Sequence, residues 1–411
     1  MPKLLIVGYV WPEPSSSAAG RRMMELIDFF LSRQYSVVFT CVSVENTHAK
    51  RLRKKGVTVE RIVLNSPQFD DFIESLQPEL VLFDRFMMEE QFGWRVAAVC
   101  PEALRILDTE DLHFLRKARE TALKKNKDFL ELALQSDLAK REVASIYRCD
   151  LTLMISDMEI ELLTKYFQVP EQLLHLVPFM GTIPDEEKKK QNSVFENRKN
   201  FIAIGNFRHT PNTDALHYLK TDIWPLIRKE LPDAEVHIYG AYMSKKNKVL
   251  EAIEDGFYVS GWVANAAEVM AVGRVCLAPL RFGAGLKGKL LEAMENGTPS
   301  VTTSIGAEGM HGMLPWNGII ANTPQAFASA AITLYQDPEK WQESVANGYT
   351  LLENRYHKKQ ILTALSNKIK DVFTNKETYR NANFTGAMLM HHRMQSTKYL
   401  SKYITLKNTG K

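Results

Sequence analysis

Residues 275–304 read VCLAPLRFGAGLKGKLLEAMENGTPSVTTS, and this stretch decides the fold. An apolar, strand-like run ends at Pro279, a glycine-rich turn follows at residues 283–285, and an amphipathic helix is predicted from about Leu286 to Gly297. A second strand-like run comes shortly afterwards. Strand, turn, helix and strand in this order form the repeating unit of a parallel α/β sheet. The stretch therefore predicts a doubly wound domain whose glycine turn lies at the ligand-binding edge of the sheet.

The same rhythm of short apolar runs and helical stretches extends over the whole chain. Continuous apolar runs, rather than alternating ones, indicate strands that are covered on both faces. One long charged helix is predicted over residues 115–148. The rhythm breaks at residues 179–200, a charged stretch without an apolar period, and then restarts. We therefore expect an α/β protein with two doubly wound Rossmann-like domains facing a cleft, divided into an N-terminal domain (1–180), a linker (181–200), a C-terminal domain (201–365), and a C-terminal helix with a basic tail (366–411).

The glycine turn and the helix after it suit an anionic ligand. Glycines let backbone N–H groups approach an anion, and a helix start adds unsatisfied donors and the positive end of its dipole. Lys287 and Lys289 add positive charge, and Glu292 can accept hydrogen bonds from ribose hydroxyls. This pattern indicates a nucleoside diphosphate. In the competing interpretation, Gly283 and Gly285 only close a turn, and Lys289 and Glu292 form an ordinary surface pair on a helix.

Composition limits the other possibilities. The 411 residues carry a formal net charge of +4, which by itself implies no partner. The four cysteines form no CxxC pair, so we expect neither a disulfide framework nor a zinc site, and we expect a reducing, cytoplasmic location. The apolar run after Lys3 soon meets Trp11 and Pro12, which is typical of a first strand rather than of a signal peptide. No run approaches the ~18 apolar residues of a membrane span. The oligomeric state stays open.

Residues 275–304 resemble the donor site of the retaining family 4 glycosyltransferases, a group with the GT-B fold. The match consists of the glycine turn, the run LLEAM at residues 290–294, and Gly297 and Pro299 after it. Members usually have a glutamate eight residues before the one at position 292, where this chain has Ala284. A subset has a GAG turn with a basic residue instead, and this chain is similar to that subset. The resemblance implies a retaining hexosyltransferase that takes a nucleotide-sugar and needs neither a metal nor a further cofactor.

Other segments agree with the resemblance, which covers about residues 3–365. Residues 201–216 resemble the opening strand and turn of the family's C-terminal domain, residues 259–263 the loop beside the nucleobase, and residues 15–23 the first loop of the acceptor-side domain. The resemblance implies donor-nucleotide contacts from Gly205, His209, Val263, Gly283, Gly285, Leu286, Lys287 and Glu292. It implies that Lys289 and Arg208 stabilise the departing diphosphate, and that Gly20 and Arg21 line the cleft.

The N-terminal half offers two further candidates. Asp111 and His113 follow a strand-like run at residues 104–107, which puts them near the expected cleft. An aspartate and a histidine together permit general acid and base chemistry, and we predict that both residues act on the transferred sugar or the acceptor. The alternative is that they cap a helix and that the histidine is hydrogen-bonded within the protein.

Two other classes of function compete with glycosyl transfer. A dinucleotide-dependent oxidoreductase shares the βαβ rhythm, but the first strand leads into GYVWP at residues 8–12 instead of GxGxxG. An inactive GT-B module that only binds a sugar or a partner is the other alternative, because Ala284 replaces the usual glutamate. A test for donor hydrolysis or transfer separates it from an enzyme.

The acceptor is predicted from the basic clusters. Residues 50–55 and 116–127 are rich in lysine and arginine, and residues 379–411 contain no acid while Tyr399 and Tyr403 alternate with lysines. Cations position a phosphate backbone and aromatic rings stack on exposed bases. As a whole the chain is similar to bacterial glycosyltransferases that add a sugar to queuosine in tRNA, so a queuosine-modified tRNA is the expected acceptor. The alternative is a lipid-linked or polysaccharide acceptor of the cell envelope.

Overall fold

The protein contains two parallel sheets, each with the same doubly wound strand order. A computed structural model describes residues 1–192 and 194–409; Lys411 of the expected basic tail lies outside the described residues. The first sheet has seven strands in the order β3-β2-β1-β4-β5-β6-β7. These strands are β1 (Lys3–Gly8), β2 (Ser36–Cys41), β3 (Thr58–Arg61), β4 (Leu80–Asp84), β5 (Leu104–Asp108), β6 (Leu151–Met154) and β7 (Leu174–Leu176).

The second sheet has six strands in the order β10-β9-β8-β11-β12-β13. All pairings in both sheets are parallel. The strands of this sheet are β8 (Lys199–Ile204), β9 (Val236–Tyr239), β10 (Phe257–Gly261), β11 (Gly273–Ala278), β12 (Ser300–Thr302) and β13 (Gly318–Ile320). In both sheets the order reverses beside the first strand, which opens a crevice at the carboxyl ends of the strands. The α/β fold with two Rossmann-like domains is confirmed.

Helices cover both faces of each sheet. In the N-terminal half they are α1 (Ala18–Ser32), α2 (Thr47–Lys54), α3 (Gln68–Leu76), α4 (Phe86–Val99), α5 (His113–Lys125), α6 (Phe129–Leu134), α7 (Asp137–Arg148) and α8 (Asp157–Phe167). In the C-terminal half they are α9 (Glu186–Asn192), α10 (Thr210–Tyr218), α11 (Trp224–Glu230), α12 (Lys245–Lys248), α13 (Ala266–Val272), α14 (Gly288–Glu295), α15 (Ser304–Ala307), α16 (Pro324–Gln336), α17 (Pro338–Arg355), α18 (Lys358–Thr374), α19 (Lys376–Ala382) and α20 (Phe384–Thr409).

The prediction of one long helix over residues 115–148 was wrong, because the chain forms α5, α6 and α7 there. Asn126 ends α5 in a left-handed conformation, with φ near 50°. The Asp128 side chain then accepts a hydrogen bond from the backbone of Leu130 and starts α6. Ser136 caps α7 in the same way. A side-chain oxygen that caps a new helix competes with continuation of the previous one.

The end of the chain returns to the N-terminal domain. Leu365, Ile369 and Val372 of α18 are buried in the same core cluster as the β1 side chains. Arg380 donates from Nε to the Asp150 carboxylate at 2.8 Å. The boundary that the sequence suggested at residue 365 falls inside α18, so the C-terminal segment from Lys358 onward packs against the first sheet.

The apolar strands explain why each half forms its own core. Leu4, Leu5, Ile6 and Val7 of β1 are all fully buried, although neighbouring side chains point to opposite faces of the sheet. The four cysteines are free and buried. Within the described residues, none of the helices combines the length and apolar character needed to cross a membrane.

Candidate active site

The candidate site lies where the crevices of the two sheets face each other. On the C-terminal side it is formed by the turns after β8 and β11 and by the start of α14. Helix α14 begins at Gly288, two residues later than expected, and Lys287 at its N-cap makes no side-chain capping bond. The backbone N–H of Leu290 donates to the carbonyl of Lys287 at 2.9 Å, so the N–H groups before it, at Gly288 and Lys289, are the ones that can bind an anion.

Gly285 joins the donor turn to the N-terminal domain. Its φ is near +60°, and an added Cβ would lie 2.7 Å from Cβ of Asp111 and 2.7 Å from Cδ1 of Ile155. Both the backbone conformation and the close approach therefore require glycine. Gly283 lies two residues earlier, and its carbonyl accepts a hydrogen bond from Arg119 at 2.9 Å. Leu286 is buried, and its side chain packs in the core instead of facing the crevice.

Lys287 and Lys289 bring two positive charges to the start of α14. Nζ of Lys289 donates to Oδ1 of Asn212 at 2.7 Å, and Nζ of Lys287 donates to the carbonyl of Gly285 at 2.5 Å. In the part of the chain that the structure describes, neither ammonium forms an ion pair with a carboxylate. Surrounding protein lowers the pKa of each lysine to about 8. Two cations that lack a partner anion, next to an uncapped helix start, form an anion-binding arrangement.

Glu292 lies on α14, one turn beyond Lys289, and is half-buried. Burial first, and then the nearby Glu295 carboxylate, raise the pKa of Glu292 to about 7. Among the described residues its carboxylate has no hydrogen-bond partner, so it can accept from hydroxyl groups. Glu295 differs, because both of its carboxylate oxygens are bound by the guanidinium of Arg21, at 2.6 and 2.8 Å.

Arg21 and Gly20 take structural positions at the domain boundary. Arg21 also donates to the carbonyl of Met180 at 3.1 Å and to the hydroxyl of Thr182 at 3.4 Å, so its guanidinium is occupied by bonds that tie α1 to α14 and to the start of the linker. An added Cβ at Gly20 would lie 2.6 Å from the backbone of Glu13. Gly20 therefore lets the loop before α1 fold back onto the helix, and it contributes to the cleft through that loop.

That loop reaches across to the turn after β8. The Asn206 side chain donates to the carbonyl of Ser16 at 3.2 Å, and the Tyr242 hydroxyl donates to Glu13 at 2.7 Å. Arg208 is exposed and stacks over the Tyr242 ring at 3.5 Å from its centroid. The predicted phosphate contact Arg208 thus stands at the rim of the crevice, where its guanidinium is open to solvent.

Gly205 and His209 flank the same turn. An added Cβ at Gly205 would lie 3.1 Å from Nζ of Lys289, so a side chain there would displace the lysine. His209 precedes α10, and its ring is accessible from the cleft although protein surrounds it on several sides. That surrounding protein, and then Arg116, lower the pKa of His209. Val263 is partly buried in the loop two residues after β10, beside the exposed Trp262.

Asp111 and His113 do not form an acid–base pair with each other. Asp111 packs against the glycine turn and pairs with Arg116; burial opposes ionisation, but Arg116 and His113 outweigh it and lower the pKa of Asp111. The ring of His113 instead lies 3.4 Å from Glu142, a buried carboxylate that also accepts from the His113 backbone. Glu142 thus caps the start of α5 by accepting from the backbone N–H groups of His113 and Phe114, and His113 is hydrogen-bonded within the protein rather than capping the helix itself.

Sequence reasoning missed Glu159, which is buried at the centre of the site. Its Oε1 accepts from the backbone N–H groups of Gly285 at 2.9 Å and Leu112 at 3.0 Å, while its Oε2 has no partner among the described residues. Burial and then Asp111 raise the pKa of Glu159 to about 8. The Arg119–Glu308 ion pair, at 2.6 Å, crosses the domains nearby and was also missed. No local pattern marks either contact, because the partners are far apart in sequence.

A second cluster of charges lies at the carboxyl ends of β4 and β5, and its buried partner Arg22 was not predicted. Arg22 is fully buried and pairs with Asp108 and, at 3.4 Å, with Glu110. Burial raises the pKa of Glu110 to about 8, against the opposing effect of Arg22. Arg85, which has a positive φ of 71°, begins α4 at the same edge. Nowhere in the described part of the chain do three or more His, Cys, Asp or Glu side chains gather in a way that could hold a metal ion.

Comparison with known proteins places this geometry in context. Residues 198–337 match the family model described as Glycosyl transferases group 1. An uncharacterized 44.6 kDa protein in the cps region of Klebsiella pneumoniae is 25% identical over 238 residues, which covers 55% of this chain and 57% of that protein. The match thus spans little more than half of the relative's length.

Several solved structures share the fold at low sequence identity. Anabaena HepE in complex with UDP and glucose has a TM-score of 0.65 at 13% identity, covering 90% of this chain and 100% of that one. A TarM mutant of S. aureus with UDP and alpha-GlcNAc-glycerol has a TM-score of 0.68 at 10% identity, covering 90% and 99%. The pneumococcal O-GlcNAc transferase GtfA with UDP and GlcNAc has a TM-score of 0.65 at 13% identity, covering 90% and 99%. The shared architecture is GT-B.

Proposed function

Given the group 1 glycosyl transferase match over residues 198–337 and the GT-B fold of the whole chain, we propose that this protein transfers a hexose from a nucleotide-sugar. One observation carries the proposal. Lys287 and Lys289 lie partly buried beside the uncapped start of α14, without a carboxylate partner among the described residues. A diphosphate would supply the missing negative charge, because both the helix start and the ammonium groups favour an anion there.

The donor in this proposal is a UDP-sugar. The structures of HepE, TarM and GtfA are all complexes with UDP, which supports this choice of base. A thermal-shift comparison of UDP, GDP, ADP and CDP tests it, because a ligand that binds only the folded state raises the melting temperature. We expect the largest shift with UDP. A shift with none of the four would overturn the proposal.

The proposed mechanism retains the configuration at the anomeric carbon and uses no metal. The bond from that carbon to the diphosphate oxygen breaks, the acceptor oxygen bonds to the same face of the sugar, and the acceptor hydroxyl gives its proton to the departing diphosphate. Lys289, the start of α14 and Arg208 would stabilise the departing charge by electrostatic preorganisation. Activity should therefore survive excess EDTA, and NMR of the product should show an unchanged anomeric configuration. Loss of activity that manganese or magnesium restores, or an inverted product, would contradict the mechanism.

For the acceptor we propose a glycan of the cell envelope. The relative from a cps region supports this choice. The basic clusters also carry less net positive charge than the sequence suggests, because carboxylates pair with several of their lysines and arginines. Arg119 pairs with Glu308, Lys117 and Lys124 both pair with Glu120, Arg53 pairs with Glu45, and Lys55 pairs with Asp28. Paired cations contribute little to binding a phosphate backbone.

Queuosine-modified tRNA is the second candidate acceptor, and the acid-free C-terminal segment favours it. Binding to bulk tRNA at two salt concentrations separates the candidates, because counterion release makes such binding fall steeply with salt. Sugar transfer to an envelope extract, without tRNA binding at low salt, is the expected result. Transfer to tRNA would reverse the assignment. Donor binding without transfer or donor hydrolysis would leave only the third possibility, an inactive GT-B binding module.

A further inference from the structure

Helix α20 lies on the N-terminal domain with its polar side inward. Ser401 is buried, and its Oγ accepts from Arg95 at 2.8 Å. Four residues later, the Thr405 hydroxyl donates to the carbonyl of Asn65 at 2.9 Å. These contacts lie on one face of the helix, because residues four apart are neighbours along a helix surface. Near the start of the helix, Gly386 is buried against the carbonyl of Tyr147, which brings the backbone close to α7.

The outward side of the same helix is apolar. Tyr399, Tyr403 and Leu406 are 64%, 63% and 71% exposed. Their spacing of four and then three residues places them on one face, opposite Ser401 and Thr405. Leu400 is exposed beside them, and Met388 falls on the same face three turns earlier. Over residues 399–406 the usual arrangement of a surface helix is therefore largely reversed, since Ser401 and Thr405 face the protein and the large apolar side chains of Tyr399, Tyr403 and Leu406 face outward. Nearer its start, the helix places Met390 against Arg105.

Positive charge flanks this apolar stripe. Lys398 and Lys402 lie along one edge, and Lys407 lies along the other. From Tyr379 to Thr409 the chain has no acidic residue. Val63 and Leu64, which precede the Asn65 that accepts from Thr405, are also exposed, so the domain surface near the helix carries further apolar side chains. The surface therefore offers an apolar centre between cationic edges.

We propose that α20 docks this protein on an anionic lipid bilayer, with the helix lying in the plane of the interface. Tyrosine and leucine side chains would enter the headgroup boundary, and the flanking lysines would contact anionic headgroups. The charges of the surface are complementary to such a membrane. A nucleic acid fits less well, because Leu400 and Leu406 can neither stack on bases nor bind phosphates. This docking goes beyond the proposed transfer reaction and does not depend on it.

Co-sedimentation with vesicles tests the docking without requiring enzymatic activity. The probes are phosphatidylcholine vesicles with and without phosphatidylglycerol. We expect binding to the anionic vesicles that is at least about tenfold tighter than to the neutral ones, since each lysine near the surface adds to the attraction. The double variant Tyr403→Glu, Leu406→Glu should lose most of this binding. The matched control is the double variant Val249→Glu, Val272→Glu, which places the same added charge at two exposed apolar positions on the other domain.

Folding and donor binding are measured on the same samples. Both variants should keep the wild-type melting temperature and the wild-type affinity for UDP, so a failure of docking is distinguishable from a failure of the proposed function. Equal vesicle binding by the double variant and the wild type would overturn the docking, as would wild-type protein that ignores anionic vesicles. Binding of bulk tRNA that Lys402→Gln, Lys407→Gln abolishes, with no vesicle binding, would assign the surface to RNA instead.

Discussion

Glu292 and Glu295 are one turn apart on α14 and have different surroundings. Glu295 is held by Arg21 and by the backbone N–H of Thr182, at 2.6 Å. Glu292 faces the crevice with a pKa raised to about 7, mainly by burial, and the described residues offer it no hydrogen-bond partner. A carboxylate left free in a ligand crevice is available to substrate hydroxyls, whereas a fully bound one is committed to holding the domains together.

Replacing Glu292 with alanine should therefore lower turnover by about 100-fold or more, because a misplaced donor loses its productive geometry. The melting temperature should stay near that of the wild type, since no protein contact is lost. Steady-state kinetics and a thermal melt provide the two readouts. Glu268→Ala, at an exposed carboxylate on α13, is the matched control. Near-normal turnover in Glu292→Ala would remove this residue from the donor site.

The lowered pKa values of Lys287 and Lys289 predict that UDP binding depends on pH. In the free protein, desolvation lowers the pKa of Lys287 and Lys289 from 10.5 to about 8, so they lose their protons as the pH rises through 8. A bound diphosphate favours the ammonium form and raises both pKa values. UDP binding should therefore take up protons above about pH 8, and affinity should fall as the pH rises from 8 toward 9.5.

Calorimetry in buffers of different ionisation enthalpy measures this proton uptake directly. Lys289→Met should remove about half of the uptake, whereas Lys359→Met, at an exposed position on α18, should leave it unchanged. An affinity that stays constant between pH 7 and 9.5 would show that the lysines do not contact the phosphates.

The sequence predicted the strands and the donor segment but not the contacts between the halves. Continuous apolar runs such as β1 and β11 are local signals, and so is the order of strand, glycine turn and helix at residues 275–304. The contact of Glu159 with Gly285 joins residues that are 126 positions apart. The periodicity of apolar residues is a local signal and cannot predict such a contact. The breaks between α5, α6 and α7 come from capping side chains. The prediction of one long helix rested on the charge pattern, which does not identify such caps.

A substitution in the glycine turn tests whether transfer requires the close contact between this turn and the N-terminal domain. Gly285→Ala adds a methyl group that would lie 2.7 Å from the side chains of Asp111 and Ile155. Overpacking of this kind costs about 1–3 kcal/mol, so turnover should fall by about 5- to 150-fold. Gly56→Ala is the matched control, since Gly56 also has a positive φ but has no atom within 4 Å of an added Cβ. Equal activity of the two variants would mean that the approach of Asp111 to the turn is not needed for transfer.

In the molecule as a whole, ionic contacts between the domains surround the candidate site. Arg21 with Glu295, Arg119 with Glu308, and Arg355 with Asp157 all join the two halves. Together with the hydrogen bond from Gly285 to Glu159, they hold the start of α14 against the N-terminal domain. The donor phosphates would then be enclosed by both domains, and their charge would be met by Lys287 and Lys289 in a site that excludes much of the water.

The most direct test of this account compares UDP with uridine as ligands of the wild type and of Lys289→Met. Isothermal titration should show that the substitution weakens UDP binding by about 10- to 100-fold, the loss of a charge-assisted contact to phosphate. Uridine binding should change by less than about twofold, because the nucleoside carries no phosphate for the lysine to contact. An equal loss for both ligands, or no loss for UDP, would contradict the claim that this site holds the diphosphate of a nucleotide-sugar.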